Sequence, residues 1–437
     1  MRIVLMVLAW STGLAVQASE LSLLQAYDSY RSGDAEYQVA GYAYRATQEE
    51  EVIGRAPLLP SVDISSRYGE GERLGGGSGA VLEDQNFQAD SHALIVQQPL
   101  YDKARWAGYE QAKARGKLGA TEFGSAGQKL FPRVVDAYFE VARAENELRL
   151  ARQQMLAIEA LAEQSRRLFE AGEGTVTDRE EAQARLDLVR AEVIEQVARR
   201  HLALNRLEER VGSVVTQVAA VQEHLPPPDL LPPGTDLAYW LDWAKKSSPL
   251  LESRRIAVAV AQAGLEKQRA GHYPRLNLTG QLAQSDPGSL NDQAQRQSTY
   301  YVGVQLTVPI YEGGGVSASI RQAEALQTEA EAEYDAAFQQ LAEEIEADYL
   351  GVVSGLAKSA ALLAAVHSNQ RALESAQKGY LAGVRSTVEI LDAQQRLFAA
   401  RRDLLNSKLL VLQSYVGLHS RCGSMTRTRL QQVQALF

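Results

Sequence analysis

Hydrophobic positions along this chain follow two periods. In residues 274–283, Leu276, Leu278 and Leu282 alternate with Asn277, Thr279 and Gln281. In residues 299–308, Val302, Val304, Leu306 and Val308 alternate with Gly303, Gln305 and Thr307. A period of two puts the apolar set on one face of a strand and the polar set on the other. The alternation alone fits either a half-buried hairpin of a water-soluble sheet or a strand pair that faces lipid. Elsewhere the period is seven. Leu391, Phe398, Leu405 and Leu412 form one stripe, and Leu397, Leu404, Val411 and Leu418 form a second. Two adjacent stripes predict a helix packed against neighbours on two sides, as in a coiled coil.

The pattern is written twice. RLFEAGEGTVTDREEAQARL (167–186) aligns without a gap on KGYLAGVRSTVEILDAQQRL (378–397). Ala171 and Gly172 then fall on Ala382 and Gly383, Asp178 on Glu389, Glu181 on Asp392, and Arg185 on Arg396. Upstream, QQPLYD (97–102) matches TVPIYE (307–312), and LLPSVDIS (58–65) matches HYPRLNLT (272–279). Three matches in one order indicate an internal duplication.

Each half predicts the same succession. A helix (21–55; 237–270) leads to a strand (60–68; 274–283) and a polar loop, which is the Gly-rich GEGERLGGGSG in the first half. A second strand follows (89–98; 299–308), then a very long helix ending at Ala171 or Ala382, a tight turn and a returning helix. A helix of about 70 residues is about 105 Å long. A globular domain has no use for that length, but a structure crossing a periplasm does. Pro132 should kink or locally break the first long helix. The proline-rich LPPPDLLPPG (225–234) joins a first repeat, 19–224, to a second, 235–418, and leaves a tail at 419–437 without a functional reading.

Composition adds the compartment. Arg2, the apolar run 3–8 and the small-x-small Val16-Gln17-Ala18 form a secretory signal, 1–18, with a mature chain expected from about Ser19. No Cys follows the cut, so no lipid anchor is expected there. No apolar run of about 18 residues follows, so no membrane-spanning helix is expected, although barrel strands pass this test unseen. The one cysteine, Cys422, offers no disulfide or metal site, and a net charge of −9 argues against nucleic acid as a partner. The six histidines are scattered, with no HExxH or Ser/His/Asp order, and the Gly-rich loop lacks a Gly-Lys-Ser/Thr ending. Neither an enzyme nor a bound cofactor is expected.

Four strands cannot close a barrel, since about eight are the minimum, and open edges are not tolerated in lipid. Strands that enter a membrane would therefore have to be shared among several chains. Tyr68, Tyr101, Tyr300, Tyr301 and Tyr311 lie at or near strand ends, where an aromatic belt would sit, although each alone is equally an ordinary strand residue. The duplicated plan, the strand exits QQPLYD and TVPIYEGGG, and above all AGVRSTVEILDAQ (382–394) resemble the TolC family of outer-membrane efflux proteins over 21–418. The resemblance implies a homotrimer in outer-membrane lipid. In it a twelve-stranded β-barrel, four strands per chain, continues into a long α-helical tunnel that is closed at its periplasmic tip. It also implies export by type I protein secretion or multidrug efflux. The partners would be a periplasmic adaptor and an inner-membrane transporter of the ABC or proton-driven kind.

Candidate chemistry sits where the long helices turn back. Glu389 and Asp392 are i and i+3, on one helix face, and in a ring of chains would stack two acidic rings. Equally, Ser386-x-x-Glu389 is a capping box and Thr175-x-x-Asp178 a related form. The resemblance favours the rings, because Glu389 and Asp392 fall on the family's pore-constricting aspartates, with Glu in place of Asp at 389. It further implies that Tyr380 and Arg385 hold the mouth closed through Asp178 and Thr177 of the first turn. Gly172 and Gly383 should end the long helices in the left-handed conformation, at tips suited to docking the adaptor. The rival architecture is a periplasmic coiled-coil adaptor or structural protein without a membrane barrel.

Overall fold

The structure, a computed structural model, describes residues 20–73, 85–219, 230–232, 234–286 and 297–435. The expected secretory signal, 1–18, lies outside them, as does most of the expected linker 225–234. Two compact units are present. One comprises Ala40–Ser125 and Ser248–Leu341; the other comprises Met1–Val39, Ala126–Ser247 and Ala342–Phe437.

The first unit carries the sheet. Strands β1 (Ser61–Arg73), β2 (Gln85–Asp102), β3 (Arg275–Asp286) and β4 (Gln297–Thr307) pair antiparallel in the order β1-β2-β3-β4. The register realises the period of two. Val62, Val96, Gly280 and Val302 form one cross-strand row, and Ile64, Leu94, Leu282 and Tyr300 the next. Below them Leu278 pairs with Val304 and Leu276 with Leu306. The alternate rows are mostly polar, such as Ser61, Gln97, Thr279 and Gly303. The apolar face is uncovered within the chain: Ile64 is 82% exposed and Val302 80%. Pro99, which cannot donate to a ladder, sits where the β2–β3 register slips between Pro99 and Tyr101. The first hairpin is longer than its apolar pattern predicts. Gly69–Arg73, expected in the polar loop, continue the ladder against Gln85–Ala89, because backbone pairing does not need apolar side chains. The rest of that loop lies outside the described residues.

Both leading helices are interrupted where single helices were expected. Residues 21–55 form α1 (Leu23–Gly33), α2 (Ala35–Gln48) and α3 (Glu50–Arg55). The break follows from Asp34, whose carboxylate accepts from the N–H groups of Glu36 and Tyr37 at 2.8 and 3.2 Å and so starts a new helix. In the second half α6 (Leu237–Ser247) stops before α7 (Pro249–Arg269), because Pro249 has no N–H and bars helical geometry at the residue before it.

The long helices are α4 (Lys103–Glu170), 68 residues, and α8 (Gly315–Leu381), 67 residues; they return as α5 (Val176–Val211) and α9 (Thr387–Arg421). No break marks Pro132, and α4 runs through it as one helix. In the helical unit the heptad stripes of α9 are buried: Leu391, Leu405 and Leu412 in one, Leu397, Leu404, Val411 and Leu418 in the other. The expectation that no helix is apolar enough to span a membrane needs correction, because α8 contains an 18-residue window of mean hydropathy 1.6. Its small residues serve helix packing. Gly351 lies against Ser414 and Gly355 against Val411, and Ser359 Oγ hydrogen-bonds Ser407 Oγ at 2.9 Å. A side chain at either glycine would push α9 away.

The tail is part of this core. In α10 (Arg427–Gln434), Leu430 and Val433 are buried in the same cluster as α1, α4 and α9. Arg427 pairs with Asp28 at 2.8 Å, and Cys422 is fully buried. The first half closes on its own start, with Leu21 N–H donating to Gln217 O at 2.9 Å.

Candidate functional site at the helix turns

Both turns are built alike. Gly172 and Gly383 have φ of 76° and 71°, the left-handed region that spares only glycine a steric penalty. Each closes a Schellman motif. Gly172 N–H donates to Phe169 O at 3.0 Å and Glu173 N–H to Leu168 O at 2.8 Å; Gly383 and Val384 repeat this to Tyr380 O and Gly379 O at 2.9 and 3.0 Å. Three residues later both return helices are capped. Thr175 Oγ accepts from Asp178 N–H at 3.0 Å, while Ser386 and Glu389 form a full capping box. Capping is therefore a real function of Asp178 and Glu389, whatever else they do.

Glu389 and Asp392 are exposed on one face of α9, over the buried Ile390, Leu391 and Ala393. Beneath them the two hairpins share one apolar layer. Ile158 and Leu161 of α4, Leu186 and Val189 of α5, Leu373 of α8 and Leu397 of α9 all belong to it, and Tyr380 packs against it. The tether expected from Tyr380 and Arg385 to Thr177 and Asp178 is not made inside one chain. Arg385, in the turn, pairs instead with Glu389 in the first turn of α9 at 3.5 Å, and Asp178 accepts the Thr175 hydroxyl at 2.6 Å. Thr177 is exposed.

Near the turns the hairpins are joined by a contact that the sequence reading missed. Arg185 on α5 lies 3.6 Å from Asp392 on α9 and donates to Gln395. Its signal was present, since Arg185 is a residue the duplication repeats, at Arg396. Above this pair the hairpins leave a cavity of about 200 Å³, lined by Glu147, Gln154, Arg185, Gln196, Gln395 and Arg402. At the end of α4, Arg166 and Arg167 both donate to Glu163 and hold its carboxyl down at about 2. The turn region is therefore a charged, solvated surface over an apolar core. It offers fixed carboxylates at one tip and no nucleophile–base pair.

The comparisons with known proteins agree with this architecture. A family model described as outer membrane efflux protein matches residues 26–213 and 240–424. The chain is 30% identical to the proteases secretion protein PrtF of Dickeya chrysanthemi, over 96% of this chain and 92% of that protein. It is 31% identical to the alkaline protease secretion protein AprF of Pseudomonas aeruginosa, over 97% and 89%. It is 25% identical to the outer membrane protein TolC of Vibrio cholerae, over 95% and 93%. In fold it resembles CusC, with a TM-score of 0.81 at 17% identity over 93% of each chain. It also resembles VceC of Vibrio cholerae, with a TM-score of 0.78 at 17% identity over 92% and 96%. A sheet with one apolar face, two long helical hairpins and these matches set aside the barrel-less adaptor: the chain belongs to the outer membrane efflux protein family and is an outer-membrane channel-tunnel for export, with its helical part in the periplasm.

Proposed function

We propose that three copies share one twelve-stranded barrel in outer-membrane lipid and continue it as a helical tunnel, through which proteins leave the cell. The observation that carries the reading is the sheet: an exposed apolar face of four rows, with β1 and β4 each paired on one side only within the chain. In lipid those edges must be satisfied, and closure between copies satisfies them. At the other end, Glu389 and Asp392 of three chains would line a narrow mouth that attracts cations. Tyr380 and Arg385 would reach Thr177 and Asp178 of a neighbouring copy, since they do not meet them in their own chain. The tips at Gly172 and Gly383 would receive a periplasmic adaptor, with an inner-membrane ABC or proton-driven transporter behind it. Protein cargo is favoured over small molecules because two relatives at 30% identity or above are named for protease secretion. The test is deletion of the gene followed by analysis of the culture medium and of drug sensitivity. Loss of secreted protein with unchanged drug tolerance is expected, and the reverse outcome would assign the channel to efflux. Detergent-corrected light scattering tests the assembly, and a stable monomer with full β content would defeat the shared barrel.

A further inference from the structure

A cavity of about 500 Å³ lies within the sheet-bearing unit, where the strands pass into the helices. One face of α4 lines it, together with Gly54 of α3, Lys267 of α7 and the first residues of β3. The room comes from side chains that are missing. A Cβ at Gly108 of α4 would meet nothing nearer than Lys267 Cε, at 3.8 Å. At Gly54 a side chain would strike Ala112, so α3 sits close against α4 at the edge of the cavity.

The lining is basic in a chain whose net charge is −9. Four cations, Arg105, Arg115, Lys267 and Arg275, face two carboxylates, Glu50 and Asp102. Both carboxylates are engaged. Asp102 is buried, accepts from Arg105 N–H at 3.0 Å and lies 3.2 Å from the Arg105 guanidinium. Glu50 lies 3.8 Å from Arg115. Lys267 and Arg275 are left without an ion pair among the described residues, although Arg275 stands opposite Asp102 in the β2–β3 register. Asn277 also lines the cavity, and its Oδ1 is buried with no hydrogen-bond partner among the described residues. A buried acceptor of this kind is costly unless something donates to it.

We propose that this cavity binds a soluble oxyanion of the phosphate class, with Lys267 and Arg275 supplying the charge and Asn277 accepting from a hydroxyl of the ligand. Hydrogen phosphate carries both anionic oxygens and an O–H, as does a phosphate ester with a neighbouring hydroxyl. Arg275 offers such an oxyanion a planar fork, and Lys267 a mobile point charge. A lipid headgroup has the same phosphate chemistry, but the cavity is on the wrong side for it. Arg275 and Asn277 belong to the polar row of β3, opposite the apolar face of Leu276 and Leu278. Trp106, 55% exposed, projects about 160° round α4 from Gly108, away from the cavity. The site therefore faces the conduit. That placement rests on the barrel reading; the chemistry of the cavity does not.

The test titrates full-length protein in detergent with hydrogen phosphate and with tripolyphosphate, by calorimetry, while light scattering reports the assembly. Saturable binding is expected. Lys267→Ala with Arg275→Ala should weaken it about tenfold or more, and Lys267→Arg with Arg275→Lys should keep most of it. Arg67→Ala with Lys117→Ala, at positions outside the cavity, should leave it unchanged. No saturable binding, or equal loss in both alanine pairs, would overturn the site. Displacement of tripolyphosphate by phosphatidylglycerol added to the micelles would make this a lipid site and overturn the soluble ligand. In planar bilayers, tripolyphosphate should reduce the current of the unsubstituted channel but not that of the Lys267→Ala, Arg275→Ala variant. Binding in detergent without any effect on current would overturn the placement on the conduit side. Monomers that still bind tripolyphosphate would overturn the shared barrel and uphold the oxyanion site.

Discussion

Arg185 and Asp392 stand 3.6 Å apart on different hairpins of the same chain. Asp392 therefore carries a cationic partner from the other hairpin, whereas Glu389 pairs with the nearby Arg385 of its own turn. Both Arg185 and Asp392 are partly exposed, so their pairing contributes at most about 1 kcal/mol to stability. Its electrical effect is the more useful readout. In planar bilayers, Arg185→Ala should raise cation preference by unmasking Asp392, whereas Glu389→Ala with Asp392→Ala should lower it and weaken block by multivalent cations. Unchanged reversal potentials in both variants would remove these residues from the mouth.

The proposed tether gives a different signature from the carboxylates. Tyr380→Phe with Arg385→Ser leaves both acids in place and should raise resting conductance several-fold. If conductance stays at the wild-type level while the acid variants alter selectivity, the mouth is acidic but is held shut by something other than these two residues.

Capping predicts a local effect. Ser386→Ala removes the acceptor for Glu389 N–H and should destabilise the start of α9 by about 1 kcal/mol. Thr175→Ala should do the same at α5. Hydrogen exchange should accelerate in the first turn of the affected helix, with the ladder of β3 and β4 unchanged. Selectivity should be unaffected by either change, which separates the cap from the acidic ring.

The sheet makes a test of faces. Arg in place of Val302 or Val304 should impair assembly by about 2–4 kcal/mol, because both lie in the middle rows of the apolar face. Arg in place of Thr279 or Gln305, on the alternate rows, should be tolerated. The yield of detergent-extracted trimer measures both, and equal tolerance would place these strands outside a bilayer.

A half-buried carboxylate gives the protein a pH dependence. Burial pushes Asp348 up to about 7; the Arg421 charge opposes this, while Glu344 and Asp136 add to it. Burial also raises Asp136. A raised carboxylate binds its proton more tightly in the folded state. Its contribution is therefore fully present below the ordinary carboxylate range and is lost as pH rises through about 7. Melting temperature in detergent should fall between pH 5 and 8. Asp348→Asn, which leaves Arg421 its partner Glu344 at 2.8 Å, should flatten that slope.

Much of this protein was legible in the chain itself. Alternation at 276–282 and 302–306 set the strand faces, and the heptads of α9 set which of its sides are buried, because periodicity needs only local geometry to become a surface. The glycines and capping residues of the turns were equally local, and they formed as their spacing implies. Tertiary structure decided what depends on neighbours far along the chain. The breaks at Asp34 and Pro249, by contrast, are local signals, a side-chain cap and a missing N–H, that the sequence reading passed over. The register carried Gly69–Arg73 into a ladder that their side chains do not announce. The tail, without a pattern of its own, was folded into the core by surfaces more than three hundred residues earlier, through contacts such as Arg427 with Asp28. Arg185 met Asp392 rather than a residue of its own hairpin because the shared apolar layer beneath them brings α5 against α9. Burial of one helix by another depends on which stripes meet, and a stripe in sequence does not name its partner.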